Sequence, residues 1–261
     1  APPTLQSQAF CSLRWNLVNL MTIAILPRSA ARRTVQMLVA VLALSPTAGI
    51  TQIDESESGA WYMYFWNVDP DAGRIGFQGD IQHRNWDAGG DLEQLLIRGA
   101  VSLRPEDSRA QYAFGLAHIT SGAYGDDDSK SREKRAYQEM RLPGLIGERI
   151  YLTHRFRFEQ RWVDGQDFRL RLRYFFGANI PLNRTTMDPG AWYLSMYNEL
   201  FVNANRDIGD DRSVDAFDRN RLYLAAGRVF ERNRRFQFGY MHQQTDSIGK
   251  GQLQFGLFQR F

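Results

Sequence analysis

Arginines and glutamates recur at every second position in the middle of the chain. Arg155, Arg157, Glu159 and Arg161 alternate with largely apolar residues, Arg169, Arg171 and Arg173 follow after a short break, and Glu199, Arg219 and Arg221 extend the set. A spacing of two places every side chain of such a run on one face of a β-strand. Guanidinium forks facing carboxylates form bidentate, charge-assisted pairs, whereas a ring of unanswered guanidiniums selects anions. Two chemistries are therefore open: a structural lattice of ion pairs filling the interior of a barrel, or a constriction that favours anions. The lattice is preferred, because an arginine in a confined interior is tolerated when carboxylates or water answer it; by strand face, Glu159 and Glu199 are the nearest candidates for Arg157 and Arg171 to share.

Covalent catalysis needs a nucleophile and a base within hydrogen-bond reach. The four histidines supply no such pair. His118 shares its alternating face with Tyr112, Phe114 and Leu116 and reads as a histidine at a membrane interface. His83, His154 and His242 fall on separate strands without metal-ligand spacing. Asp126-Asp127-Asp128 and the segment 207–215 read as solvated acidic loops rather than calcium sites. No catalytic residue, metal or cofactor is expected, and the protein is read as a non-enzyme. Basic and acidic residues are interspersed and the formal charge is only +3, so nucleic acid is not expected as a partner.

The elements that must position these charges are strands. Along 149–162, Ile150, Leu152, His154, Phe156, Phe158, Gln160 and Trp162 form one face, opposite Arg149, Tyr151, Thr153 and the charged row. The turn Val163-Asp164-Gly165-Gln166 leads to a second run in which Phe168, Leu170, Leu172, Tyr174 and Phe176 alternate with arginines, completing a hairpin. The pattern recurs at 74–84 and 237–243 and, more weakly, at 92–104, 109–120, 132–142, 192–203, 219–229 and 251–261. Short turns at 69–73, 104–107 and 231–234 contrast with longer loops at 121–131 and 204–216, expected on opposite sides of a membrane.

The fold class is all-β, an antiparallel up-and-down transmembrane β-barrel of about 10–12 strands. Eleven strands are counted from Gly59 onward. Because single-chain bacterial barrels have even numbers, a twelfth at Ile50 to Ile53 is favoured over the loss of one weak segment. Mean hydropathy is −0.44, which excludes a helical bundle, since each helical span needs about 20 apolar residues in a row.

Residues 28–49 have the order of a secretory signal: Arg28, Arg32 and Arg33, then the apolar run from Val35 to Leu44, then small residues. Cleavage near Ala48 or Gly49 divides the chain into 1–49, the export signal with an upstream segment, and 50–261, the barrel. Cys11 lies before that cleavage. At the other end, Leu253, Phe255, Leu257 and the terminal Phe261 share a face, which resembles the assembly signal of outer-membrane strands.

Several segments in order are similar to the bacterial family catalogued as domain of unknown function 2490. They are Trp61-Tyr62-Met63-Tyr64-Phe65-Trp66, Arg155-Phe156-Arg157-Phe158-Glu159-Gln160-Arg161, Arg169-Leu170-Arg171-Leu172-Arg173-Tyr174, Tyr197-Asn198-Glu199-Leu200-Phe201 and Asp218-Arg219-Asn220-Arg221. The resemblance spans about residues 59–261 and implies a small outer-membrane barrel with no assigned reaction. The expected function is a structural barrel or a narrow channel with an arginine-rich lumen. Its expected partners are outer-membrane lipid, lipopolysaccharide and the barrel-assembly machinery. Alternatives are an outer-membrane enzyme acting on lipid or lipopolysaccharide, and a soluble periplasmic β-barrel. Asn198 and His154 fit poorly, since both fall on the face opposite the arginines. Mass spectrometry of the mature protein should recover peptides downstream of Gly49; peptides covering Leu38 to Leu44 would overturn the leader assignment.

Overall fold

The computed structural model describes residues 59–69, 74–125, 127–247 and 249–261. The expected leader 1–49 with Cys11, the strand placed at Ile50 to Ile53, Pro70 to Gly73 and Asp126 lie outside those residues.

Alternating polarity becomes strand throughout. The elements are β1 (Gly59–Val68), β2 (Ile75–Asn85), β3 (Leu92–Leu103), β4 (Gln111–Gly122), β5 (Lys130–Ile146), β6 (Ile150–Val163), β7 (Arg169–Pro181), β8 (Trp192–Asn203), β9 (Phe217–Glu231), β10 (Arg234–Gln244) and β11 (Gly249–Arg260). Each pairs antiparallel with its successor, and the sheet closes into a barrel through β1 and β11.

The closing pair is parallel, with Gly59 opposite Gln252 and Asn67 opposite Arg260. This overturns the inference that eleven had to become twelve. An odd ring of alternating strands needs one pair running the same way, and a parallel ladder still satisfies the backbone donors and acceptors of both edges. Ring pairs reinforce the seam on both faces: Tyr62 stacks on Phe255 at 5.2 Å outside, and Phe65 on Phe258 at 4.7 Å inside. Beyond β11, the Phe261 N–H donates to the Asn67 carbonyl at 2.8 Å.

Odd closure puts Gly59 and Phe261 at opposite rims. β2, β4, β6, β8 and β10 end at the rim of Gly59; β1, β3, β5, β7 and β9 end at that of Phe261. The short and long loops distinguished in the sequence thus fall on different rims, although the extended 182–191 connection lies with the short turns.

The two faces of the wall differ completely. Outward stand Ile81, Ile97, Phe114, Leu116, Phe156, Leu172, Leu224 and Phe238, each more than 40% exposed. Inward, Asp80, Glu93, Glu133, Glu139, Glu159, Glu199 and Asp218 all bond to lumen side chains. A soluble protein has the reverse polarity. Two inward glycines make room for rings: a Cβ on Gly115 would lie 2.3 Å from Cζ of Tyr137, and one on Gly227 2.2 Å from Cζ of Tyr193. Both tyrosines thus lie flat on a neighbouring strand.

Cysteines placed at Tyr64 and Leu257, which are register partners, should form a disulfide on oxidation in a Cys11→Ser background. Neighbouring strands are about 4.8 Å apart, inside the span a disulfide bridges. The pair Tyr64→Cys with Leu253→Cys, four positions out of register, should stay reduced. Crosslinking of the second pair but not the first, read by gel mobility, would refute the parallel seam.

Candidate functional site

The barrel interior is the site. β5, β6 and β7 each turn a charged row inward, and β8 and β9 complete the wall. A chain of ion pairs runs across it. Asp218 receives Arg219 at 3.0 Å and Arg171 at 2.6 Å. Arg171 reaches Glu159 at 2.6 Å, and Glu159 also takes Arg173 at 2.6 Å. Arg173 continues to Glu199 at 2.6 Å, which is shared with Arg155 at 2.6 Å. Arg155 approaches Glu139 at 3.7 Å, and Glu139 is bonded closely by Arg157.

Two further clusters adjoin this chain. Glu133 is gripped by Arg135 and Arg161, each with Nε at 2.5 Å. Arg98 forks onto Asp80 at 2.8 and 3.0 Å. Glu159 is 1% exposed and Arg171 3%, so these charges are answered by one another and not by bulk water. Aromatic rings fill the gaps between them: Phe201 lies under Arg173 at 4.4 Å, Tyr137 under Arg157 at 4.3 Å and Phe175 under Arg155 at 4.7 Å. Beside these charges lies an apolar patch in which Trp61, Tyr223, Ala225 and Met241 pack against Met63 and Tyr197.

The ten residues singled out in the sequence all face this interior, but three details differ from expectation. Arg157 and Arg171 share Glu159, at 3.8 and 2.6 Å, but not Glu199, whose partners are Arg155 and Arg173. Arg169 joins the lumen without a carboxylate at ion-pair distance among the described residues, and its buried Nε has no hydrogen-bond partner. The carboxylates doing most of the pairing include Glu133, Glu139 and Asp218, which the sequence set omitted.

Glu133, Arg135, Tyr137 and Glu139 sit on alternate positions of β5, so the signal was present, diluted by Lys134 and Gln138 on the other face. Asp80 was already legible among the polar positions of β2. Asp218 was not, because strict alternation from Arg219 turns it outward. A register shift between Phe201 and Val202, which face Arg219 and Phe217, brings it inward.

Outside, the residues that fitted poorly each have a partner on the same face. Nδ1 of His154 lies 2.8 Å from the Tyr174 hydroxyl on β7. Asn198 and Asn220 exchange amide hydrogen bonds at 2.9 and 3.1 Å between β8 and β9. Gln138 and Gln160 do the same at 3.3 and 3.0 Å between β5 and β6. No shift of register is involved; each pair joins diagonal neighbours of the ladder. His83, His118 and His242 also stand outward, on β2, β4 and β10.

At the Gly59 rim the 86–91 loop is pinned by Asp87, whose carboxylate accepts the N–H of Gly89 at 3.0 Å and that of Gly90 more closely. Those N–H groups hold the Asp87 carboxyl below its usual range. Trp86 from this loop lies under the Lys250 ammonium at 4.2 Å.

The family described as "Protein of unknown function (DUF2490)" matches residues 58–254. The chain belongs to this family. The DUF2490 match begins one residue before β1 and ends within β11, so it covers the barrel from seam to seam. An uncharacterized protein of Methylorubrum extorquens is 27% identical over 225 residues, which cover 84% of this chain and 92% of its own length. No solved structure matches.

Replacing Glu199 by Gln leaves Arg155 and Arg173 without their common carboxylate. Breaking a buried pair from one side costs about 3–5 kcal/mol, and less where water enters. The unfolding temperature of the purified barrel in detergent should fall, and Glu199→Asp should recover part of the loss. Unchanged melting of Glu199→Gln would remove this residue from the lattice.

Proposed function

We propose that this DUF2490 protein is a non-enzymatic outer-membrane barrel. β1 to β11 cross the lipid bilayer, and the arginine–carboxylate lattice closes the interior as a structural plug. The observation that carries this is the treatment of polar groups on the outer wall. In water an exposed amide needs no protein partner, whereas in hydrocarbon an unanswered polar group costs several kcal/mol. The outward amides and the imidazole of β5 to β9 answer one another in pairs.

Charge on that face is consistent with the same reading. Arg132 and Lys134 lie toward the Gly59 end of β5. Arg228, toward the other end of β9, lies over Trp192 at 5.1 Å and Phe230 at 5.5 Å, where its head can reach an interface. Trp162 packs on Phe168 beside one rim, and Trp66 and Trp192 flank the other, as in aromatic girdles. Insertion of Phe261 by assembly machinery from the periplasm orients its rim inward. The 123–129 and 204–216 loops then face outside, beside lipopolysaccharide.

Cell fractionation with heat-modifiability on gels tests this reading. The parent should fractionate with the outer membrane and shift mobility on boiling. Phe156→Arg, midway along β6, should lose assembled protein in proportion to a cost of about 2–4 kcal/mol, whereas Leu170→Arg, at the start of β7 and nearer the rim, should lose less. A soluble periplasmic parent would overturn the proposal. In planar bilayers a sealed interior gives no conductance steps; steady anion-selective steps would replace the plug with a narrow channel.

A further inference from the structure

The lattice answers most interior arginines with carboxylates, but two that converge on one ring are left out. The guanidinium carbon of Arg84 lies 3.8 Å over Trp61, and that of Arg221 4.9 Å over the same ring. The two carbons are therefore less than 9 Å apart. The side chains come from opposite sides of the seam strand, Arg84 from β2 and Arg221 from β9, and are 6% and 7% exposed.

Among the described residues neither has a carboxylate oxygen at ion-pair distance. The nearby acids hold other partners at bonding distance. Glu93 accepts the Trp61 indole N–H at 2.9 Å and Gln252 at 3.4 Å. Glu199, the register neighbour of Arg221, is taken by Arg155 and Arg173.

Their hydrogen bonds are to neutral groups. Arg84 donates to Gln82 and Gln94. Arg221 donates Nε to the Gln243 side chain at 2.8 Å, and among the described residues its Nη atoms have no hydrogen-bond partner. Glu93 and Glu199 offset part of the repulsion between these two enclosed like charges from a distance, but neither guanidinium has the direct carboxylate contact made by most arginines of the interior. Guanidinium forks are shaped for the oxygens of carboxylate and phosphate, and two this close can grasp one small oxyanion together. Lys250, inward on β11 near the Gly59 rim, lends positive potential to the approach from that side.

We propose that Arg84 and Arg221, gathered over Trp61, form a binding site for a small oxyanion of the phosphate or carboxylate class inside the barrel. The site rests on the fold of the lumen and not on its location in a membrane, so the two readings can fail separately.

The test uses the purified full barrel in detergent, with unfolding temperature measured against inorganic phosphate, acetate and chloride at matched ionic strength. Phosphate or acetate at a hundredfold excess over its Kd should raise the midpoint by roughly 5–10 °C relative to chloride. Arg221→Gln should abolish that rise and, lacking an unanswered charge, melt no lower than the parent in chloride. Arg221→Lys, which keeps the charge without the fork, should retain a reduced rise. Arg228→Gln, on the outer wall, should respond as the parent does. A response to acetate alone assigns the site to carboxylates, and one to phosphate alone to phosphates. The site is refuted if the parent answers neither oxyanion beyond chloride. An equal rise in Arg221→Gln would also refute it.

Discussion

A guanidinium carries five N–H donors and a charge that proteins do not remove, and a closed ring of strands gives it little bulk water. Most arginines turned inward therefore find oxygen on their own strand or one of the next two, and the carboxylates stand where the forks can reach them. This requirement links β5 to β9 more specifically than apolar packing would. Glu159 answers arginines of β7, and Glu199 on β8 answers those of β6 and β7. Sliding one strand by two residues would keep every side chain on its face yet misplace these pairs. The lattice thus adds a register constraint to a sheet whose alternation specifies faces only.

The outer wall obeys the same demand from the other side. Between the charged residues near its rims, the amides and the imidazole of β5 to β9 are held in diagonal pairs across neighbouring strands. The wall meets the closed interior with charge pairs and the apolar outer face with neutral ones; in the proposed membrane setting this suits the higher cost of bringing ions into hydrocarbon.

Much of this was legible in the sequence, because period two is a property of the chain itself. The phase of 149–162 separated Arg157 and Glu159 from Phe156 and Phe158, and both pairs stand on the expected faces. Partnership was less legible, since it depends on how strands slide past each other. Glu199 was matched to the wrong arginines for that reason. Asp218 was missed because one register shift between β8 and β9 reverses its face, and no turn residue marks it. The strand number was counted correctly as eleven and then doubted, because a parity rule drawn from barrels with purely antiparallel neighbours was applied to a ring closed by a parallel pair.

That closure bears on how such a wall can be assembled. β2 to β11 resolve into five successive hairpins, each able to form from contacts close in sequence, and β1 is left over without one. Its inner-edge partner, β11, is the last strand of the chain, so the contact between Gly59 and Gln252 spans nearly all of the described residues. Local pairing cannot nucleate it, and it is the slowest kind of contact to form. Until β11 arrives, one edge of β1 has open backbone donors and acceptors, the condition that invites pairing with a foreign strand. The stacked rings of Tyr62 with Phe255 and Phe65 with Phe258 act there as a latch, giving the two ends of the sheet a reason to choose each other over a neighbouring chain.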